Sequence, residues 1–180
     1  IVGGTAAQET MALSRPFGVA VLGHALFISD SLNHRIVMYD LEDGLCKVIA
    51  GTGYVGYDPD GTPAVASRLS NPQGLAVNKR NGNLYIADAG NHRIMCLNPY
   101  TQNLHIACGV SGVAGEKSQH HGDTDVHRNQ YASQHPSQMP LCLPTDLCVL
   151  GDGSLVVSDG GNARIVFVSG YPQRDGEDGI

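Results

Sequence analysis

One peptide pattern occurs three times in this chain, and that recurrence constrains its fold more than any other feature. The copies are Leu26-Phe27-Ile28-Ser29-Asp30-Ser31-Leu32-Asn33-His34-Arg35-Ile36, Leu84-Tyr85-Ile86-Ala87-Asp88-Ala89-Gly90-Asn91-His92-Arg93-Ile94 and Leu155-Val156-Val157-Ser158-Asp159-Gly160-Gly161-Asn162-Ala163-Arg164-Ile165. Each is an apolar run that stops at an Asp, crosses a short turn through Asn-x-Arg, and becomes apolar again. Two apolar runs separated by a short turn form a hairpin. The Asp positions are 58 and then 71 residues apart, a spacing that implies an array of similar modules rather than one unique core.

A second matching segment precedes each hairpin. Leu13–Val21 aligns with Leu69–Val77 and with Leu141–Val149, each with a proline at its fourth position: Pro16, Pro72 and Pro144. Proline fixes φ and cannot donate to a ladder, so it belongs at a strand entrance. The strands that follow should close at Gly23-His24, Asn81-Gly82 and Gly151-Asp152-Gly153. A fourth apolar segment, 45–51 or 104–109, completes the first two units. Four short antiparallel strands per unit, repeated along a chain, are the blades of an all-β propeller.

Asn33-His34 and Asn91-His92, with the apolar run and Asp before them, resemble the NHL repeat. The third copy departs from that signature at Ala163, and all three carry Arg-Ile where the signature has Leu. The resemblance implies a β-propeller of NHL type with about three blades here, part of a ring that usually closes with about six. The boundaries expected are an outer strand of a preceding blade plus linker at 1–12, blade 1 at 13–53 and an inter-blade loop at 54–68. Blade 2 follows at 69–109, a long His-rich loop at 110–140, an incomplete blade 3 at 141–170 and an acidic tail at 171–180. Ile1-Val2-Gly3-Gly4 resembles the N-terminus of trypsin-like proteases, but no Gly-Asp-Ser-Gly segment accompanies it. Val2–Ala6 aligns instead with Ile49–Gly53, so residues 1–5 are expected to pair with another blade. That pattern, without an initiator Met, is expected of a fragment of a longer protein. Further blades of that protein, or a second copy, would then complete the ring.

The five cysteines (Cys46, Cys96, Cys108, Cys142 and Cys148) have no metal-like spacing. Cys148 aligns with Ala20 and Ala76, and Cys108 with Ala50, so both are expected to be buried free thiols. Their odd number and the lack of an Asn-x-Ser/Thr sequon favour a reducing compartment. No apolar run reaches about 18 residues, so no spanning helix is expected. A net charge of −6, with Lys79-Arg80 the only adjacent basic pair, argues against a nucleic-acid face.

Asp30, Asp88 and Asp159 recur in register with Asn33, Asn91 and Asn162 and with Arg35, Arg93 and Arg164. Repetition of one residue type in each blade is what a structural role requires, since an active site needs different groups converging. The Asp should accept N–H groups from the turn ahead of it and pair with the Arg. His34 and His92 share a repeat position and are read the same way. His120, His121, His127 and His135, with Asp123 and Asp125, have ligand chemistry for a divalent metal but no fixed spacing. They are read as part of an expanded loop, so no metal or cofactor is assigned. Asp58-Pro59-Asp60-Gly61 lacks the remaining ligands of a calcium loop and is read as a turn.

The function expected is a non-catalytic module that binds protein partners through loops 52–70 and 110–140. The alternatives are a segment of a propeller enzyme, similar to peptidyl-hydroxyglycine lyase or to lactonases, and an RNA-binding NHL domain. In the lyase resemblance a His follows the proline at metal-binding blades, whereas Phe17, Gln73 and Thr145 stand there in this chain.

Overall fold

The computed structural model describes residues 11–115 and 135–169. Residues 1–5, the acidic tail and the metal candidates His120, His121, Asp123, Asp125 and His127 therefore lie outside the described residues. Within them, β1 (Pro16–Leu22), β2 (Ala25–Asp30), β3 (Arg35–Asp40) and β4 (Cys46–Ala50) form one antiparallel sheet in chain order. A second sheet repeats that order with β5 (Pro72–Val77), β6 (Leu84–Asp88), β7 (Arg93–Leu97) and β8 (Leu104–Gly109). The third has three strands among the described residues: β9 (Pro144–Val149), β10 (Leu155–Asp159) and β11 (Arg164–Val168). The only helical elements there are single 3-10 turns of three residues. This is the blade architecture that the threefold pattern requires.

Proline starts the first strand of each sheet and disturbs its register. Pro16 pairs with Asp30 and Pro72 with Asp88, and each ladder then slips before resuming at Val19–Ile28 and Leu75–Ile86. A residue with no N–H cannot hold the ladder, so an irregularity is the expected outcome. The residues just before these prolines (Arg15, Asn71 and Leu143) have φ of 51°, 48° and 46°. Non-glycine residues rarely adopt left-handed backbone, and it persists only where the surroundings hold it.

The sheets face one another through two cores. Between blades 1 and 2 lie Ile36, Ala50, Leu69, Leu75, Leu84, Ile86 and Met95. Between blades 2 and 3 lie Tyr85, Ile94, Cys96, Cys108, Leu141, Leu155 and Val157. Side chains alternate across a strand, so each sheet gives one set of apolar residues to the seam before it and the other to the seam after it. Blade 2, covered on both faces, has every residue of β6 and β7 buried.

At the innermost edge β1 packs on β5 and β5 on β9. The approach is close: a Cβ on Gly18 would meet the Gln73 carbonyl oxygen, and one on Gly74 would lie 2.6 Å from Asp146 Cα. Glycine is required at both places because backbone occupies the space of a side chain.

The cysteine expectation splits. Cys108 is buried and free as expected, but Cys148 is exposed. Cys148 lies on the face of blade 3 that no described blade covers, whereas Ala20 and Ala76 pack against the two cores. Alignment predicted the position correctly; burial depended on a neighbouring sheet.

Candidate functional site

The repeated Asp, Asn and Arg residues are brought together three times in the same geometry. In blade 1, Asp30 Oδ2 accepts from Asn33 Nδ2 and Arg35 Nε, both at 2.8 Å, while Oδ1 accepts the Ser14 N–H at 2.6 Å. In blade 2, Asp88 accepts from Asn91 Nδ2 and Arg93 Nε at 2.8 Å and from the Ser70 N–H at 2.7 Å. In blade 3, Asp159 accepts from Asn162 Nδ2 at 2.8 Å, Arg164 Nε at 2.7 Å and the Cys142 N–H at 2.6 Å. The backbone donors precede the proline in each blade, where the sequence had suggested the turn following the Asp. The Asp side chain accepts no backbone N–H from the 3-10 turn that follows it. One carboxylate thus ties the end of the second strand and the start of the third to the segment entering the first.

Burial of this cluster depends on position in the array. All three carboxylates are fully buried, but the Arg side chain is 23% exposed in Arg35, 1% in Arg93 and 12% in Arg164. Burial pushes the Asp88 carboxyl above its usual range, opposed by Arg93 and by the bonds from Ser70 and Asn91. Asp88 is fully buried and accepts three hydrogen bonds, one of them from a buried arginine.

His34 and His92 have a role the sequence reading left open. Each ends its 3-10 turn in left-handed backbone, at φ 50° and 58°. Its ring then reaches the next blade: His34 Nδ1 accepts the Asn71 N–H, and His92 Nδ1 the Leu143 N–H, both at 3.1 Å. Ser29 Oγ and Ser31 Oγ of blade 1 also donate to the Gln73 and Pro72 carbonyls. The signal was the register match itself: Ala163 keeps the left-handed backbone at φ 50° but has no ring to extend.

The residue pairing places the inter-blade loops at one end of the sheets. Asp30 pairs with Pro16, and Ile36 with Ala50, so β2–β3 turns and β4–β5 connections share that end. Loop 52–68 leaves blade 1 at that end and reaches the β7–β8 turn of blade 2, where the Ala64 N–H donates to the Gln102 carbonyl at 2.9 Å. Asp58 binds Arg68 by a 2.8 Å ion pair and accepts the Arg68 N–H at 2.7 Å. This bonding holds the Asp58 carboxyl below its usual range. Asn91 Nδ2 donates to the Gly56 carbonyl at 2.7 Å, and Asp60 Oδ1 accepts the Ile106 N–H at 2.6 Å. Thr62 N–H reaches the Pro59 carbonyl, consistent with the turn read from Pro59-Asp60-Gly61. On this anchored loop Tyr54, Val55, Tyr57 and Val65 are 76%, 61%, 51% and 61% exposed.

The described part of loop 110–140 is also anchored. Gly112 lies against the Tyr57 ring, and Gly115 N–H donates to the Leu141 carbonyl at 2.8 Å. His135 Nδ1 accepts from Ser137 N–H at 3.3 Å, so its ring serves the turn that follows. Among the described residues, no group of three or more His, Cys, Asp or Glu is placed to hold a metal, and no helix is long and apolar enough to cross a membrane. Lys79 and Arg80 sit in the β5–β6 turn at the opposite end.

The NHL repeat model matches residues 69–97 and 141–166, the second and third copies of the pattern. This is an NHL-repeat β-propeller chain. It is 34% identical over 155 residues to Protein SUPPRESSOR OF QUENCHING 1, chloroplastic, of Arabidopsis thaliana, covering 85% of this chain and 14% of that protein. NHL repeat-containing protein 2 of Bos taurus is 31% identical over 96 residues, covering 52% of this chain and 13% of that protein. The chain therefore spans about one-seventh of these relatives' own length. An auxiliary nutrient binding protein of Bacteroides thetaiotaomicron superposes with a TM-score of 0.59 at 17% identity, covering 82% of this chain and 35% of that one. A protein of unknown function from the same bacterium gives 0.61 at 19%, covering 78% and 31%. At such identities the likeness supports the shared fold alone.

Proposed function

We propose that this NHL-repeat chain is a non-catalytic interaction module that binds a protein partner through its inter-blade loops. The observation that carries this reading is the set Tyr54, Val55, Tyr57 and Val65, more than half exposed on a loop anchored at Asp58, Gly56 and Asp60. Exposed aromatic and aliphatic groups grouped on one element favour protein contact, because tyrosine supplies large apolar area with little entropy to lose. Anchoring the loop lowers the ordering cost of binding. Loops mounted on a rigid scaffold are a common place for recognition.

The test is photo-crosslinking in the full-length protein in its own cells. A photoreactive residue replacing Tyr54 should capture a protein, and the same residue replacing Leu41, exposed in the β3–β4 turn at the other end of blade 1, should not. Capture of nucleic acid at Tyr54, or equal capture at both sites, would overturn the reading.

A further inference from the structure

Loop 52–68 closes the outer edge of blade 2. Gly61 N–H donates to the Leu104 carbonyl at 2.9 Å, and Leu104 N–H to the Thr62 carbonyl at 3.0 Å. Pro63 and Asn103 then form an antiparallel bridge. Asp60 opens this strap with its side chain: Oδ1 accepts the Ile106 N–H at 2.6 Å, and Oδ2 faces His105 Nδ1 at 3.5 Å. The strap pairs with groups of β8 that would otherwise stand open along a sheet edge.

Blade 1 presents the same edge without the strap. The strand pairings make Cys46, Lys47 and Val48 of β4 the counterparts of Leu104, His105 and Ile106. Both strands begin alike, with Asp40 N–H on the Leu45 carbonyl and Asn98 N–H on the Asn103 carbonyl. Bonded and non-bonded pairs alternate along an antiparallel ladder. Cys46 and Val48 therefore turn their N–H groups away from β3, as Leu104 and Ile106 turn theirs away from β7. Among the described residues these outward groups of Cys46 and Val48 have no partner. Lys47, exposed, stands where His105 faces Asp60. Asp60 lies nine residues before Leu69, and the residue nine before the matching Leu13 is Gly4. The approach to blade 1 thus carries no carboxylate at that place.

We propose that the outer edge of β4 binds an extended segment of a partner protein that leads with an aspartate or glutamate. Its carboxylate accepts the Val48 N–H and meets the Lys47 ammonium, as Asp60 accepts from Ile106 and faces His105. The next two residues pair with Cys46 as Gly61 and Thr62 pair with Leu104. In strand addition of this kind main-chain bonds give affinity and the side chains give specificity. This surface is separate from Tyr54 and its neighbours and does not rest on the reading of that loop. Leu41 is bonded inward, to the His24 carbonyl of the β1–β2 turn, and stays outside the contact.

A second copy of the chain fits the edge poorly. Two β4 strands pairing antiparallel about the middle of the open stretch would set Lys47 opposite Lys47. Like charges directly opposed across a ladder are destabilising.

The probe is a fluorescent peptide with the sequence of residues 57–65, titrated into the full-length protein. It should bind saturably and slow exchange of the Cys46 and Val48 amides about tenfold, as new ladder bonds do. Lys47→Glu should weaken binding about fivefold, and Asp60→Asn in the peptide should act in the same direction. Val48→Pro removes the receiving N–H without taking a bond from β3, and should weaken binding about tenfold. No binding at millimolar peptide, or binding that both β4 substitutions leave unchanged, would overturn the proposal. Slow exchange of both amides before peptide is added would also overturn it. Dependence of that protection on protein concentration would mean self-pairing, and independence would mean that the protein's own chain fills the edge.

Discussion

His92 Nδ1 lies 3.1 Å from the Leu143 backbone nitrogen and joins the turn of blade 2 to the strand entrance of blade 3. The bond links residues 51 positions apart and spans a seam otherwise held by apolar packing. It also meets an N–H that left-handed backbone has turned away from the ladder.

Replacing His92 with Ala should therefore loosen the seam without disturbing either sheet. The loss expected is about 1 kcal/mol, since the freed N–H is near solvent and water can replace part of the bond. Faster exchange of the Leu143 amide with little change at β6 would confirm it. Ala163→His should change stability little in the same measurement unless a further blade follows blade 3.

Removing the carboxylate of the Asp–Asn–Arg cluster should cost more in blade 2 than elsewhere. Asp88→Ala leaves Arg93, 1% exposed, as an uncompensated buried charge, a defect of about 3–5 kcal/mol. Arg35, at 23%, can turn toward water, so Asp30→Ala should be milder and Asp159→Ala intermediate. Chemical denaturation of the three variants tests the order. Equal losses would mean that the backbone bonds, and not the buried Arg, dominate.

Much of this arrangement was legible in the sequence because repetition supplies its own alignment. The Asp, the proline four residues into each unit and the turn glycines fixed the blades and strands. Properties that depend on the neighbouring blade were not legible. Cys148 aligns with Ala20 and Ala76 but lacks the sheet that half-buries them. The Asp bonds run back to Ser14, Ser70 and Cys142, and the His rings run forward to the next proline segment. Local sequence shows neither direction, since both partners are distant along the chain. In loop 52–68 the Asp58–Arg68 pairing likewise spans ten residues of irregular chain.

Thiol reactivity should separate the cysteines. Burial pushes the Cys96 and Cys108 thiols up to about 12, so little thiolate exists near neutrality and access is blocked as well. Cys148 is exposed and should react with a bulky maleimide in the native protein. Mass spectrometry of the labelled peptides decides it: protection of Cys148 would mean that another blade covers that face, and labelling of Cys108 would mean that the second seam opens.

Acid should release loop 52–68 through Asp58. Its folded pKa lies below the ordinary carboxylate value because Arg68 hydrogen-bonds the ionised form. A lowered folded pKa stabilises the loop at every pH above about 3.8 and loses that contribution as pH falls through the lower folded value. Hydrogen exchange of the Arg68 amide, corrected for its intrinsic rate, should thus be flat between neutrality and mild acid and rise only below that range. Asp58→Asn should show the loosened loop at neutral pH. An Arg68 amide that loosens already in mild acid would place the controlling group elsewhere.

Close packing at the propeller's innermost edge gives the most direct test of the seam geometry. Gly74→Ala would put a Cβ 2.6 Å from Asp146 Cα and 3.0 Å from the Thr145 carbonyl oxygen, both backbone atoms, so the strands must separate. Overpacking of this kind costs about 1–3 kcal/mol. Gly151→Ala is the matched control, because a Cβ there meets nothing within 4 Å. The first variant should lower the melting temperature and speed exchange in both β5 and β9, while the second should leave both unchanged. If Gly74→Ala is as stable as Gly151→Ala, then β5 and β9 do not approach each other as closely as the structure places them.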